Sequence, residues 1–546
     1  MIRSCRVLLI LSLATPAFAW AQDVRDGDTL PKGAGGLIIQ TGLSGGTDRF
    51  GPKWRFFGRE SILADFAGLD LSQVLAGDGG DAISSGIGSL GITNFQATQR
   101  SVGLQFTVAY GITDRLTFAA VLPWSYATYD LEAWLAAPDT TGLDEIEKMN
   151  PKYTLSQFKV RDPKAITCPN GEFDITDPDD IFNKLIEPGG DDYKFNVADL
   201  NKALTSECLG YRGAIDETFR AGDNYIHGRG KRTYSGFRDL ILGAKYQWFH
   251  GRNISLSSLL YVIAPTGTPD DPDDLFDPAF GDGQWDAALL VGATIPLGDF
   301  RIGAATGYEI SFGDTLVRRL NGLTFSDELE GQLARNEISE PDLYDQHLDE
   351  GNSLPIVPAY EKALVERKLG NTFYIYSSAS YQIIEILSIG VTLDFLHHFR
   401  DGITDTGTHV ADGTRYKTSA QIRQEVDDGV AAGTILLENR EAELKGRLPS
   451  SAERKAAAYA WHTERDSIVG GIGLNLNTLG PFLRDEFPLP LIINVGAAIP
   501  LGGKNLDAID SFSLSLVIPF VTGDVKDPAE YGFDDEPDPL KGLPWP

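Results

Sequence analysis

The sequence is poor in cysteine, poor in basic residues relative to acidic ones, and free of long apolar runs after its first residues. It has three cysteines, and 47 Lys and Arg stand against 77 Asp and Glu. The resulting net charge of −30 argues against nucleic-acid binding, which depends on clustered cations. No later stretch approaches the roughly 18 apolar residues of a membrane-spanning helix, so no helical anchor is expected.

The first residues are typical of an export signal. Arg3 and Arg6 precede the apolar run 7–13, and small residues at 19 and 21 suit cleavage after Ala21. We therefore predict a signal peptide at 1–21. Export to an oxidising compartment favours a disulfide between the two remaining cysteines, Cys168 and Cys208, and two unpaired thiols are the alternative.

Alternation of apolar and small or polar residues predicts many β-strands. In one example, Leu104, Phe106 and Val108 alternate with Gln105 and Thr107. Twelve such runs occur, near 35–45, 95–112, 116–128, 235–249, 254–264, 285–296, 300–312, 371–383, 387–399, 466–478, 489–500 and 511–520.

Short and long connections alternate strictly between these strands. Short ones fall at 113–115, 250–253, 297–299, 384–386 and 479–488, and longer ones at 46–94, 129–234, 265–284, 313–370, 400–465 and 501–510. Periplasmic turns are short and extracellular loops are long in outer-membrane barrels, which must close so that every backbone group is paired. The sequence therefore predicts an all-β, antiparallel transmembrane barrel of about 12 strands at 35–520. A periplasmic segment at 22–34 precedes it, and an acidic periplasmic tail at 521–546 follows it.

Two further patterns support a barrel in the bacterial outer membrane. Aromatic residues cluster near the predicted strand ends, as in interfacial girdles: Trp124, Tyr126, Trp248, Phe249, Tyr308, Phe312, Phe395, Phe399 and Phe520. The long loops are polar, and those at 326–369 and 415–465 have helical patterns. Ser450 and Glu453 are spaced as a capping box.

Charged residues within the strands are candidates for the solute path. Lys245, Asp286, Arg301, Glu309 and Asp394 alternate with apolar neighbours. Because a Lys or Arg facing lipid costs about 2–4 kcal/mol at the midplane, we expect these side chains to face the lumen. They would set ion preference or orient a polar group of a solute. An internal ladder of salt bridges is the alternative.

Two loop segments carry concentrated charge. Arg229, Lys231 and Arg232 form a basic island at the predicted outer surface, where lipopolysaccharide phosphates are candidate partners. The acidic run 269–278 has ligands that suit Ca²⁺, but its spacing is not that of an EF-hand, and a solvated loop is the favoured interpretation.

No motif indicates a cofactor or a catalytic centre. The sequence has no haem-attachment, phosphate-loop or zinc-pair spacing, and its seven histidines are dispersed. His397 and His398 are adjacent on a strand and should face opposite sides. We therefore predict no cofactor, no metal and no enzymatic activity.

Four short motifs carry a resemblance to a known family. The segments 110–116, 243–246, 264–267 and 280–283 read Tyr-Gly-Ile-Thr-Asp-Arg-Leu, Gly-Ala-Lys-Tyr, Ala-Pro-Thr-Gly and Phe-Gly-Asp-Gly. They resemble the outer-membrane transporter-like family of the phenol-degradation meta-pathway. The long-chain fatty-acid and aromatic-hydrocarbon transporter barrels are similar to this family in purpose.

The resemblance implies an outer-membrane channel for passive uptake of small hydrophobic or aromatic compounds. Its expected partners are membrane lipid, lipopolysaccharide and the solute. Two alternatives stay open: an interaction barrel with a plugged lumen whose acidic loops bind a partner, and the sheath of an electron conduit.

Overall fold

The computed structural model describes residues 29–50, 92–136, 227–274, 277, 279–319, 362–411, 415–440, 463–484 and 486–522, with short pieces between them. One large sheet dominates this part of the chain. Its twelve long strands are β1 (Ala34–Phe50), β2 (Ile92–Thr113), β3 (Leu116–Ala136), β4 (His227–Phe237 continuing as Leu240–Gly251), β5 (Ile254–Ala264), β6 (Asp286–Leu297), β7 (Phe300–Ser311), β8 (Thr372–Ile384), β9 (Leu387–His398), β10 (Arg465–Asn477), β11 (Ile492–Lys504) and β12 (Leu506–Val521).

The sheet closes on itself. Each long strand pairs antiparallel with its neighbours in sequence, and β1 pairs with both β2 and β12, for example Ile38 with Thr107 and with Val517. Closure leaves no edge strand whose N–H and C=O groups would face lipid unpaired. The predicted 12-stranded antiparallel barrel is confirmed.

The outer face of the barrel is apolar. Large hydrophobic side chains are exposed at alternate positions, among them Leu289 and Val291 on β6, and Val391 and Leu393 on β9. Aromatic residues expose their rings near the strand ends: Trp248, Phe249, Trp285, Tyr308, Phe312, Phe399 and Phe520. Tyr126, predicted near a strand end, is exposed at the middle of β3 because this strand extends to Ala136. In water this surface would be an aggregation hazard, whereas in a bilayer it meets hydrocarbon flanked by interfacial girdles.

Tight turns connect the strands at one end of the barrel. The residues between strands number two at 114–115, 252–253, 298–299 and 385–386, and Gly298 adopts a φ of +62° that favours glycine. The connection after β10 contains the short helix Leu479–Leu483. No helix in the described residues is long and apolar enough to cross a membrane.

At the other end several strands extend further than the alternation predicts. β2 has 22 residues and β3 has 21, about twice the 9–11 that cross a bilayer. β11 and β12 meet at Asn505, whose φ is +52°, so most of the predicted loop 501–510 is strand. The apolar alternation ends where a strand leaves hydrocarbon, but its hydrogen bonding continues.

A second, four-stranded sheet lies within the longer connections, which are the predicted extracellular loops. It contains Asp314–Arg319, Lys362–Lys368, Gly402–Ala411 and Arg415–Thr418. A helix, Ser419–Ala431, follows directly. The helical expectation is therefore met in part of 415–465 and is wrong for 362–368, which pairs with a strand on either side. The capping box at 450 and 453 lies outside the described residues.

A β-bulge interrupts β4. Phe237 pairs with Trp124 and Ile241 pairs with Val121, so three residues of β4 lie opposite two of β3. The additional residue breaks the alternation, and both side chains of the pair 238–239 are buried. Bulges commonly redirect side chains next to functional sites.

Candidate functional site: the lumen

The lumen wall differs from one side of the barrel to the other. On β1, β2 and β3 the buried inward positions are mostly amides and hydroxyls: Gln40, Gln99, Ser101, Gln105, Thr107, Thr117 and Ser125. On β5 to β8 they include a packed apolar and tyrosine group: Leu259, Ala288, Leu290, Ala305, Tyr374 and Tyr376. We call these the amide wall and the tyrosine wall.

A carboxylate sits among the tyrosines. Tyr261 donates a hydrogen bond to Glu309 Oε2 at 2.7 Å, and Tyr374 also bonds to this carboxylate. The rings of Tyr374 and Tyr376 are stacked at 5.6 Å. The tyrosine wall thus offers ring faces beside a buried, hydrogen-bonded carboxylate.

The structure brings only two of the five predicted lumen residues together. Glu309 is diagonal to Asp286 on the inner face, because Asp286 pairs with Ser311 and Glu309 with Ala288. Both acids are buried.

The other three predicted lumen residues lie apart from that pair. Lys245 is buried on β4, and Asp394 is half-buried on β9. Arg301 is exposed at the end of β7 that carries the tight turns. A role for these five residues in solute passage stays a prediction.

The segment before β1 lies at the tight-turn end of the barrel. Leu30 N–H donates to Thr117 Oγ1 at 2.8 Å, and Lys32 N–H donates to Asp114 Oδ1 at 2.9 Å. Thr29 Oγ1 donates to the carbonyl of Asp114 at 2.8 Å and lies 3.4 Å from the side-chain oxygen of Gln247. Because Thr117 and Gln247 are buried, this segment narrows the mouth of the barrel at the tight-turn end, which is the predicted periplasmic end.

The loop between β5 and β6 packs against β4 at the other end of the barrel. Gly267 N–H donates to Asp239 Oδ1 at 2.7 Å, and Asp282 N–H donates to Asp239 Oδ2 at 3.2 Å. The buried ring of Phe280 packs on Gly236, where an added Cβ would lie 2.9 Å from it. The motifs at 264–267 and 280–283 form this contact, since a Cβ at Gly267 would lie 2.5 Å from the Phe280 carbonyl oxygen.

Ion pairs tie the acidic run in this loop to the extracellular sheet. Arg319 and Lys362 bind the two oxygens of Asp273 at 2.7 and 2.6 Å, and Arg318 binds Asp270. Burial raises the pKa of Asp273, but the hydrogen bonds from Lys362 and Arg319 outweigh it and hold this pKa below its usual range. These acids are therefore partners of loop cations.

Asp277 in the same run behaves in the opposite way. Burial raises its pKa to about 6, and the nearby carboxylates of Asp274, Asp270 and Asp271 act in the same direction. A hydrogen bond from Asp271 N–H at 2.9 Å opposes the rise only in part. In the described residues no group of His, Cys, Asp or Glu is arranged to hold a metal ion.

The residues of the basic island do not lie together on one surface. Lys231 is exposed on the outer face, whereas Arg232 forms an ion pair with Asp274 at 2.9 Å and contacts Tyr234. The side chain of Arg229 lies outside the described part, as do Cys168 and Cys208. Lipopolysaccharide contact and the disulfide stay predictions.

The histidines take structural positions. His398 is buried and bonds to Asp401 and Thr372, while His397 lies on the outer side at 2.6 Å from Asp466. The expected opposite orientation of these two is confirmed. His250 Nδ1 lies 2.9 Å from Ser255 Oγ and 3.4 Å from the side-chain nitrogen of Gln247.

Sequence reasoning missed Arg238, Asp239 and the tyrosine partners of Glu309. Arg238 and Asp239 fall at the bulge, where the alternation of β4 fails. Tyr261 and Tyr374 read as ordinary strand aromatics. The only available signal was the position of Phe237 and Leu242. They are five residues apart, so strict alternation would place them on opposite faces, yet both are exposed on the outer face.

A closed, lipid-facing antiparallel barrel with a polar lumen defines an outer-membrane β-barrel protein. The family described as "Putative MetA-pathway of phenol degradation" matches residues 192–426, which include β4 to β9. The match confirms the resemblance stated from the sequence. Three of the four motifs lie inside it, and the motif at 110–116 lies before it. No curated protein matches the chain.

Solved outer-membrane proteins are similar to the chain over most of its length. An outer membrane channel from Pseudomonas putida F1 aligns with a TM-score of 0.39 and 10% identity, covering 91% of this chain and 98% of that one. The TodX monoaromatic hydrocarbon channel (deltaS2 mutant) has a TM-score of 0.27 and 8% identity over 92% and 93% of the two chains. A FadL homologue of Pseudomonas aeruginosa has a TM-score of 0.25 and 9% identity over 91% and 92%.

Proposed function

We propose that this barrel is a passive outer-membrane channel for small hydrophobic or aromatic compounds. The observation that carries the proposal is the tyrosine wall, an apolar and aromatic surface on the inner face of the barrel. Tyr374 and Tyr376 stack there beside Leu259 and Leu290. Aromatic solutes gain from ring stacking and from removal of apolar area from water, and a wall of this kind offers both.

The match to a family described by phenol degradation supports the same class of solute. The buried polar groups give such a solute places for a hydroxyl group. Glu309 accepts hydrogen bonds from tyrosines, and a phenolic hydroxyl has the same chemistry as those tyrosines.

The test is uptake by cells and by vesicles. A strain that lacks the gene should grow more slowly on aromatic carbon sources at low concentration, and the intact gene should restore growth. Vesicles that contain the purified protein should admit benzyl alcohol faster than protein-free vesicles do, with a smaller protein-dependent increase for a neutral sugar alcohol of similar mass. Equal growth of both strains, together with no protein-dependent entry of either solute, would contradict the proposal.

A second candidate, an interaction barrel with a closed lumen, is favoured by the segment 29–33 in the periplasmic mouth. Single-channel recording separates the two candidates, because a closed barrel shows no openings. Removal of residues 137–226, which connect β3 and β4, should abolish partner binding if the second candidate is correct and leave uptake unchanged.

A further inference from the structure

A small cavity lies in the amide wall where β1, β2, β3 and the bulge of β4 meet. Its volume is about 40 Å³, several times the roughly 10–15 Å³ that one water needs. Its lining combines apolar residues, Leu43, Leu104, Pro123 and Trp124, with polar ones, Gln40, Ser44, Ser101, Gln105, Ser125 and Arg238, and with Gly103.

The cavity is a product of strand register. Gln40 pairs with Gln105, and Gly103 pairs with Ser125, which places these residues on one inner face. Gly103 leaves the floor without a side chain, and a Cβ there would meet no atom within 4 Å. Arg238 follows the outward-facing Phe237 and is buried on the same inner face, next to the bulge.

Arg238 is buried in this cavity with unused donors. It is only 5% exposed, and its Nε and Nη2 have no hydrogen-bond partner within the described part of the chain. A buried charged group without partners costs several kcal/mol, far more than a satisfied one. Such an arrangement lowers the stability of the fold, but it provides hydrogen-bond donors for a ligand.

Asp239 does not supply hydrogen-bond acceptors for these donors. It attracts the guanidinium electrostatically, which makes the buried charge tolerable. Both of its oxygens, however, accept backbone N–H groups of Gly267 and Asp282. The donors on Arg238 are left for another group.

The free atoms match a carboxylate. Nε and Nη2 form one edge of the guanidinium plane, whose two parallel N–H groups fit the two oxygens of a carboxylate. Gln105 lines the same cavity, and its Nε2 donates to Thr107 Oγ1 at 3.1 Å while its Oε1 has no partner. Because the Thr107 hydroxyl can donate as well as accept, the amide can turn and offer a donor to the cavity.

We propose that this cavity binds the carboxylate group of an organic acid that passes through the barrel. Arg238 binds the carboxylate side-on, and the apolar remainder of the acid extends into the lumen that also carries the tyrosine wall. The inference rests on the proposed channel function for the route of the acid, and it narrows the solutes to those with a carboxylate.

The test measures binding of benzoate, with benzyl alcohol as the neutral match. The full mature chain is placed in phosphatidylcholine vesicles, and bound ligand is determined by equilibrium dialysis at pH 7.5. We expect saturable binding of benzoate at one site, with an affinity at least about tenfold above that of benzyl alcohol. Equal affinities, or benzoate binding that does not saturate, would overturn the proposal.

Two variants act on the site by different routes. Arg238→Gln removes the charged fork, and Gly103→Leu fills the cavity without a backbone clash. Each should weaken benzoate binding by at least about tenfold, and Arg238→Lys should restore little because it lacks the fork. Arg252→Gln, an identical change in the exposed turn 252–253, is the control and should bind as the native chain does.

Barrel formation is checked by the heat-dependent mobility of each variant on gels. If Arg238→Gln does not fold, Arg238→Lys and Gly103→Leu decide the matter. Native benzoate affinity in folded Gly103→Leu contradicts the site. Uptake of benzyl alcohol with no benzoate site would remove this inference alone, whereas benzoate binding without any uptake would remove the proposed function alone.

Discussion

The two walls of the lumen differ in how their buried side chains are packed and hydrogen-bonded. The tyrosine wall packs leucine, alanine and tyrosine side chains against each other and satisfies Glu309 with tyrosine hydroxyls. The amide wall leaves buried polar atoms of Gln99, Gln105 and Arg238 without hydrogen-bond partners among the described residues, and it contains a cavity. Glu309 on one wall is thus satisfied by the protein itself, whereas Arg238 on the other keeps unused donors.

The largest effect should come from truncation of the tyrosine wall. Leu290→Ala removes a buried side chain from a packed group and should lower the free energy of unfolding by about 2–5 kcal/mol. Gly103→Ala on the amide wall should change it by less than about 0.5 kcal/mol, because its Cβ meets open space. Urea unfolding in vesicles measures both. Equal losses would remove the distinction between the walls.

The next effect concerns the hydrogen bond between Tyr261 and Glu309. Tyr261→Phe takes one donor from a buried carboxylate and should cost about 1–3 kcal/mol. In a double-mutant cycle with Glu309→Gln, the two changes should be non-additive. The matched pair on the amide wall is Ser44 and Ser101, whose hydroxyl oxygens lie 2.6 Å apart and whose coupling should be smaller. Strict additivity at 261 and 309 is the contrary result.

A smaller, local effect is expected in the loop between β5 and β6. Arg319→Gln leaves Asp273 with Lys362 as its remaining charged partner and should increase local opening of the loop about fivefold, on the order of 1 kcal/mol. Hydrogen exchange of residues 265–285 reports this opening. Arg252→Gln should leave the exchange unchanged. If exchange across all twelve strands rises equally, the loop is not a separate unit.

The smallest effect is a pH dependence in that loop. The folded pKa of Asp277 is raised to about 6 from 3.8, so the folded loop binds more protons than the open loop between these values. Its stability should therefore fall as pH rises from about 4 to about 6 and change little above that range. Asp277→Asn should flatten the profile of hydrogen exchange against pH. A native profile with the opposite slope would refute the assignment.

Asp273 in the same loop should respond in the opposite direction. Its pKa is lowered, so it stabilises the loop above its usual pKa, and this contribution is lost as pH falls through the lowered value. Asp273→Asn should therefore remove protection at neutral pH, which Asp277→Asn should not do. Comparison of these two variants separates the effect of removing any loop carboxylate from the specific effect of removing Asp277.

The sequence predicted the barrel because lipid imposes a simple rule on it. Residues such as Leu289 and Val291 must alternate with inward ones, and that period of two survives in any single sequence. The upper parts of β2 and β3 escaped prediction because the rule ends where the hydrocarbon ends.

The strand Lys362–Lys368 escaped prediction for another reason, since its conformation depends on a partner strand distant in sequence. The lumen was predictable only where a charge is forbidden to face lipid, as at Asp286 and Glu309. Which inward residues then lie side by side depends on strand register. The one inserted residue at 238–239 breaks the alternation, so a prediction from odd and even positions fails there. Glu309 was therefore accessible from the sequence, whereas Arg238 was not.

The bulge in β4 also adds Asp239, the acid that attracts the buried guanidinium of Arg238. Loss of the codon for Asp239 would give β4 and β3 equal numbers of residues between Phe237–Trp124 and Ile241–Val121. Lipid contacts above and below would keep their phase, and the circle of twelve strands would still close. Arg238 would stay on the inner face without that acid, so a single deletion would weaken the proposed carboxylate site and leave the barrel intact.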